Sequence, residues 1–197
     1  MQLELKTAVI IQARLGSTRL PGKVLYKVMG KTILEYVIER AGKARSIEET
    51  IVATTTSSED SQIADLADKS GARVYRGSEQ DVLDRYYQAA KLFGIKHIVR
   101  ITADCPLIDP EIVDKVVGHY FDTKSDYCSN VIAETFPDGQ DVEVFGFDTL
   151  SDAWKNAKLL SEREHVTPYI RKSSGKFKLA SFRNSVDLSG KRWTLDE

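Results

Sequence analysis

The sequence predicts an α/β fold: a doubly wound, mainly parallel sheet in a single domain. Strand and helix signals alternate from Ala8 to about residue 121, the rhythm that builds a parallel sheet with helices on both faces. Ala8-Val9-Ile10-Ile11 is an unbroken apolar run, as expected of a strand buried on both sides. A chain of 197 residues with 42% apolar content suits one generous domain with a sizeable core.

The elements follow in order. After the first strand, Thr32-Ile33-Leu34-Glu35 reads as a capping box, and Leu34, Val37, Ile38 and Ala41 then share one helical face. Thr50 to Ala53 is a second strand. Ser57 to Asp60 opens a helix with Ile63, Ala64 and Ala67 inward and Gly71 at its end. Ala72 to Tyr75 is a short strand, and Val82 to Phe93 a helix stopped by Gly94, with Tyr86, Tyr87 and Phe93 as core. His97 to Thr102 is the strand that delivers Asp104. Asp109-Pro110-Glu111 supplies an N-cap, a first-position proline and a first-turn acid for a helix that buries Ile112, Val113, Val116 and Val117. After Tyr127 the pattern changes. A turn at Phe136–Gly139 precedes a strand from Val142 to Phe147, helices around Trp154 and Val166, and late strands at Lys178–Phe182 and Arg192–Leu195.

The loop after the first strand carries Arg14, Gly16, Ser17, Arg19, Gly22 and Lys23. Glycines let backbone N–H groups approach an anion, and fixed cations neutralise it, so these are the parts of a polyphosphate cradle. Composition alone also suits a basic surface loop with Arg-Leu-Pro-Gly as an ordinary turn. The order of the residues decides between them. Gln12 to Lys23 reads QARLGSTRLPGK and resembles the first loop of the sugar-activating cytidylyltransferases, which make CMP-linked 3-deoxy-manno-octulosonate and CMP-neuraminate and follow a pattern close to PARxxSxRLPGK. Gln12 stands where that family has proline; Ala13, Arg14, Ser17, Arg19, Leu20, Pro21, Gly22 and Lys23 match. Within the family the chain is most similar to the spore-coat polysaccharide biosynthesis branch. Arg100 to Ile108 (RITADCPLI), Asp81 to Tyr87 (DVLDRYY), Phe136 to Gly139, Asp141 to Val144 (DVEV) and Arg163 to Pro168 (REHVTP) carry the resemblance along nearly the whole chain.

The resemblance implies the GT-A type of nucleotide-diphosphosugar transferase fold over residues 1–197, with a nucleotide-binding half to about residue 121 and a substrate subregion from about 122. It implies transfer of CMP from CTP to a sugar or sugar-acid acceptor for surface polysaccharide, assisted by Mg²⁺. Nucleotidyl transfer asks little covalent chemistry of a protein: a hydroxyl attacks the α-phosphorus in line and pyrophosphate leaves, so positioning and electrostatics dominate. Arg14, Arg19 and Lys23 are assigned to the triphosphate, the last two nearest its outer phosphates, with Ser17 and the backbone of Leu15 and Gly16 completing the loop. Arg19, Lys23 and Asp104 are the expected catalytic groups.

Asp104 is the first expected Mg²⁺ ligand, since an acid at a strand end before Cys105-Pro106 cannot be absorbed into a helix. Asp196, after the closing run Arg192–Leu195, is the second. Relatives continue with Pro-Glu-Asp and a final helix where this sequence ends at Glu197, so the chain reads as truncated or short there. Asp84 and Arg85 resemble a segment near the nucleotide in relatives, although an exposed helical pair fits the plain sequence equally well. Asp141 and Glu143 alternate with Val142 and Val144 and so project to one strand face, a carboxylate pair suited either to acceptor hydroxyls or to solvent. His165 lies in a segment shared with the spore-coat branch, which offers it a substrate role; a packed histidine near a helix start is the plainer reading.

Net charge is −1, which gives no global pull toward nucleic acid or anionic membrane. No apolar stretch approaches the roughly 18 residues of a membrane span, and MQLELK lacks a secretory apolar region, so the expected compartment is the cytoplasm. Cys105 and Cys128 lack the spacing of a disulfide framework or zinc site. His97, His119 and His165 share no ligand spacing. Dimers are common among the enzymes it resembles, and no interface is legible. Two other functions share these features: a glycosyltransferase consuming a nucleotide sugar, and a non-catalytic nucleotide-binding subunit of a biosynthetic assembly. Three cations between Arg14 and Lys23 favour a triphosphate over a diphosphosugar.

Overall fold

The computed structural model describes residues 6–16, 20–173 and 175–195. Its elements run β1 (Thr7–Gln12), β2 (Lys27–Val28), β3 (Lys31–Thr32), α1 (Ile33–Ala41), β4 (Glu49–Thr55), α2 (Ser61–Lys69), β5 (Arg73–Gly77), α3 (Val82–Phe93) and β6 (His97–Thr102). They continue with α4 (Pro110–Thr123), β7 (Tyr127–Ser129), β8 (Glu143–Gly146), α5 (Phe147–Asn156), α6 (Leu160–His165), α7 (Pro168–Lys172) and β9 (Leu179–Ser181). Seven strands form one sheet in the order β5-β4-β1-β6-β8-β7-β9, and β2 and β3 form a separate hairpin. β5, β4, β1 and β6 are parallel; β8 is antiparallel to both its neighbours.

The apolar run explains the centre of the sheet. Val9 and Ile11 face one cluster with Leu34, Val37 and Val116, while Ala8 and Ile10 face the other with Leu83, Tyr86 and Ala89. All four β1 residues are fully buried, so the strand has no face left for polar side chains. Helices α1, α2 and α4 therefore cover one side and α3 and α5 the other, the doubly wound arrangement expected. Local signals agree with the packing. The Thr32–Glu35 capping box is present, Asp109 caps α4 through the Glu111 amide, and Gly94 ends α3 at φ 68°.

Three expectations are corrected. The strand expected to end at Phe147 stops at Gly146, and Phe147 begins α5. Val166 does not lie within a helix but in the break between α6 and α7. Arg192–Leu195 is no strand: Arg192 makes a single bridge to Asp138.

Candidate active site

Chain order along the sheet selects the site. From β1 the sheet grows toward β4 on one side and β6 on the other, so a crevice opens beyond the carboxyl ends of β1 and β6. The glycine-rich loop leaves β1, and Asp104 leaves β6, at that point. Two anchors shape the loop. The Leu15 amide donates to Asp60 Oδ1 at 2.8 Å, and the Gly22 amide donates to the Leu15 carbonyl at 3.0 Å. Gly22 closes the turn at φ 69°, a left-handed conformation costly for other residues. Lys23 then starts a 3-10 turn (Lys23–Leu25), and its side chain turns into the crevice.

There Lys23 Nζ lies 2.8 Å from Asp104 Oδ2, while the Thr102 hydroxyl donates to Asp104 Oδ1 at 2.6 Å. Lys23 is only 9% exposed, so the ion pair is partly shielded from solvent. Burial, and next the Asp104 charge, push the Cys105 thiol far above its usual range; this cysteine is packing, not a nucleophile. The Leu195 amide donates to the Asp104 carbonyl at 2.9 Å, which brings the described end of the chain to the same place. Ser17, Arg19 and Asp196 lie outside the described residues.

Arg14, in the loop, and Arg85, on α3, lie close enough for their charges to act on one another. Arg85 is 1% exposed; burial above all, with Arg14 adding to it, holds its guanidinium below the usual range. Its Nη1 donates to the Ser78 carbonyl at 3.2 Å, and its Nε is buried without a partner among the described residues. Gly16 faces Glu79, whose Oε1 would lie 3.4 Å from an added Cβ. Asp84, adjacent to Arg85 in sequence, points elsewhere: its Oδ1 accepts from Trp154 Nε1 at 2.8 Å and Gln88 Nε2 at 3.1 Å, tying α3 to α5.

Beside Asp104 a groove of about 310 Å³ opens, lined by Arg100, Thr102, Asp141, Glu143, His165 and Arg171 among others. Asp141, Glu143 and His165 thus share one cavity. They differ in what they can do there. Asp141 lines the groove, and its carboxyl is pushed up to about 6, by desolvation first and then by Asp138, Glu143 and Glu134. His165 is exposed at the end of α6. Glu143 is 4% exposed and its oxygens are taken. Oε1 accepts from the Tyr127 and Thr167 hydroxyls, each at 2.6 Å, and Oε2 pairs with Arg100. Burial opposes its ionisation, but Arg100 and the two hydroxyls hold its carboxyl below the usual range. The expected carboxylate face therefore splits into one accessible acid and one structural hub.

Asp60, missed in the sequence, holds the loop: it is 3% exposed and bonds both the Leu15 amide and the Thr55 hydroxyl. Its only signal was a place in the Ser-Ser-Glu-Asp run that opens α2, where it reads as a cap; its side chain makes no cap bond. Among the described residues no group of three His, Cys, Asp or Glu side chains converges as a ready metal site. The donor set fits a hard ion that takes one or two carboxylates and completes its shell with water and substrate phosphates, because Asp104 presents such a carboxylate at a rigid strand end.

A family model described as cytidylyltransferase matches residues 8–195. The chain belongs to the cytidylyltransferase family. It is a nucleotidyltransferase. It is 36% identical over 167 residues to the spore coat polysaccharide biosynthesis protein SpsF of Bacillus subtilis, covering 82% of this chain and 68% of that protein. It is 41% identical over 110 residues to the 3-deoxy-manno-octulosonate cytidylyltransferase of Solibacter usitatus, covering 55% of this chain and 42% of the relative. The solved structure of a cytidylyltransferase from Leptospira borgpetersenii superposes with a TM-score of 0.94 at 38% identity, over 98% of this chain and 82% of that one. No helix of the described residues is long and apolar enough to cross a membrane.

Proposed function

We propose that this cytidylyltransferase moves CMP from CTP onto a hydroxyl of a sugar acid, releasing pyrophosphate, as an activation step for surface polysaccharide. The observation that carries the reading is the meeting of Lys23 and Asp104 between β1 and β6, a cation and a carboxylate from the two segments that the chemistry needs together. Names among the relatives support the substrates: one makes an activated sugar acid, another serves polysaccharide synthesis.

In this reading Arg14, Arg19 and Lys23, with Ser17 and the amides of Leu15 and Gly16, hold the triphosphate, and Arg19 and Lys23 take the charge that grows on departing pyrophosphate. Each such contact is worth about 1.5–3 kcal/mol once desolvated. Arg85, a buried cation lacking a full set of acceptors, adds a further positive group behind the loop. Asp104, with Asp196 as second ligand, would hold Mg²⁺, which supplies Lewis-acid polarisation of the phosphates and charge neutralisation. Asp141 and His165 orient the acceptor in the groove beside Asp104, and Glu143 supports that groove from beneath. Positioning of the acceptor hydroxyl near the α-phosphorus supplies much of the rate.

The test is a pyrophosphate-release screen crossing CTP, UTP, ATP and GTP with sugar acids, neutral sugars and sugar phosphates, with Mg²⁺ or with chelator. CTP with a sugar acid and Mg²⁺ is the expected productive combination. Release from another nucleotide, or turnover only of a preformed nucleotide sugar, would replace this reading with the corresponding transferase.

A further inference from the structure

Between α6 and α7 the backbone makes a turn that no local signal demands. The Thr167 amide donates to the His165 carbonyl at 2.8 Å, closing a three-residue ring around Val166, which has φ 71° and ψ −56°. This is the γ-turn of positive φ, rare and strained in any residue, and more so for a β-branched one. The other non-glycine residues with positive φ sit in ordinary places: Lys124 in the left-handed well at the end of α4, Met29 at the tip of the β2–β3 hairpin. Thr167 adds a second unfavourable conformation. Its φ of −98° and ψ of −11° precede Pro168, whose ring disfavours that region.

Strain of this kind persists only where surroundings over-determine it, and it gathers at ligand-holding segments. The surroundings here are specific. Val166 is fully buried in the cluster beneath α3 and α5. Thr167, 1% exposed, donates its hydroxyl to Glu143 Oε1 at 2.6 Å. Glu143 is itself fixed by Arg100, two residues before Thr102 on β6, and Thr102 bonds Asp104. Hydrogen bonds at either end of the β6 segment Arg100–Thr102 therefore tie the Asp104 carboxylate to the turn, which displays His165 and Thr167 on the groove wall.

We propose that the His165–Val166–Thr167 turn is a positioning device for the acceptor: Glu143, through the Thr167 hydroxyl, locks the strained turn so that the His165 ring is held against the acceptor. His165 is the contact; Val166, Thr167 and Glu143 are positioning residues. The inference rests on the acceptor-groove reading above, yet it predicts an effect visible without any reaction. The sequence contains three histidines, so their ring signals in nuclear magnetic resonance spectra are few and can be assigned with His165→Ala.

In Thr167→Val the hydroxyl is removed at constant shape. The His165 signals should shift and broaden, those of His97 and His119 should stay in place, and Thr167→Ser should restore the wild-type spectrum. An unmoved His165 signal in Thr167→Val overturns the proposal. Kinetics supplies the second arm, with CTP and 3-deoxy-manno-octulosonate as the acceptor probe. Loss of one charge-assisted hydrogen bond should raise KM for the probe by about tenfold or more, with KM for CTP within about twofold, and Thr167→Ser should recover it. Equal rises in both constants, or no recovery with serine, would mark a merely structural residue and overturn the proposal. If the wild type does not turn over this probe, the choice of acceptor is at fault, and the ring signals alone decide the turn.

Discussion

Lys23 Nζ and Asp104 Oδ2 stand 2.8 Å apart although 81 positions separate them in sequence. The contact joins the loop after β1 to the loop after β6, the two segments that flank the crevice at the centre of the sheet. It sets a cation against an anion, and each screens the other's charge where both are partly desolvated. In the proposed reaction an incoming triphosphate would offer Lys23 a more strongly charged partner and free the Asp104 carboxylate for a cation.

Asp104→Asn keeps shape and most hydrogen bonding while removing that negative charge. Loss of a preorganised electrostatic group of this type costs on the order of 10²–10³ in kcat. Steady-state pyrophosphate release should show this loss. A variant with near-wild-type turnover would remove Asp104 from the chemistry.

Glu143→Gln should damage the fold more than the nucleotide site. Arg100 loses its charge partner in a setting where the pair is largely buried, and leaving such a charge uncompensated costs about 3–5 kcal/mol. Chemical denaturation should register that loss. Pairing Glu143→Gln with Arg100→Met should recover much of it, because the unpaired charge is then gone. A double variant as unstable as the single one would place the cost in the Tyr127 and Thr167 hydrogen bonds instead.

Much of this was legible in the sequence, for reasons that can be named. β1 was readable because a strand buried on both faces needs an unbroken apolar run, and α1 and α4 because their caps are local. Convergence of the loop after β1 with Asp104 was readable from βα alternation, which puts both at carboxyl strand ends. Less was legible after Tyr127. β7 is three residues long and wholly buried, too short to show a period. Arg192–Leu195 had strand composition but gains only one bridge. Val166 sits in an apolar spacing that suits a helix, and tertiary contacts from Glu143 and the core override it. Glu143 itself alternates like a surface acid; its three partners come from β6, β7 and the turn before α7, which no local pattern connects. Asp60 was hidden for the same reason, since its partner Leu15 lies 45 positions away.

Asp141 gives the pH dependence. Its folded-state pKa of about 6 lies above the ordinary 3.8, so the native state binds its proton more tightly than the unfolded chain does. This contribution favours the native state most fully below pH 4, and the advantage is lost as pH rises through about 6. Asp141→Asn removes the crowded negative charge. It should raise the thermal midpoint above pH 6 relative to wild type and lose that advantage near pH 4. A carboxyl titration near 4 by nuclear magnetic resonance, or a pH-independent difference between the two proteins, would contradict this assignment.

In the proposed function the loop after β1 cradles the outer phosphates of a nucleoside triphosphate. Calorimetric titration of CTP and CMP into wild type and Lys23→Ala, with Mg²⁺ present, tests it most directly. CTP affinity should fall at least about tenfold, the loss of one charge-assisted contact, while CMP affinity stays nearly constant. Equal falls for the two nucleotides, or no fall for CTP, would contradict it.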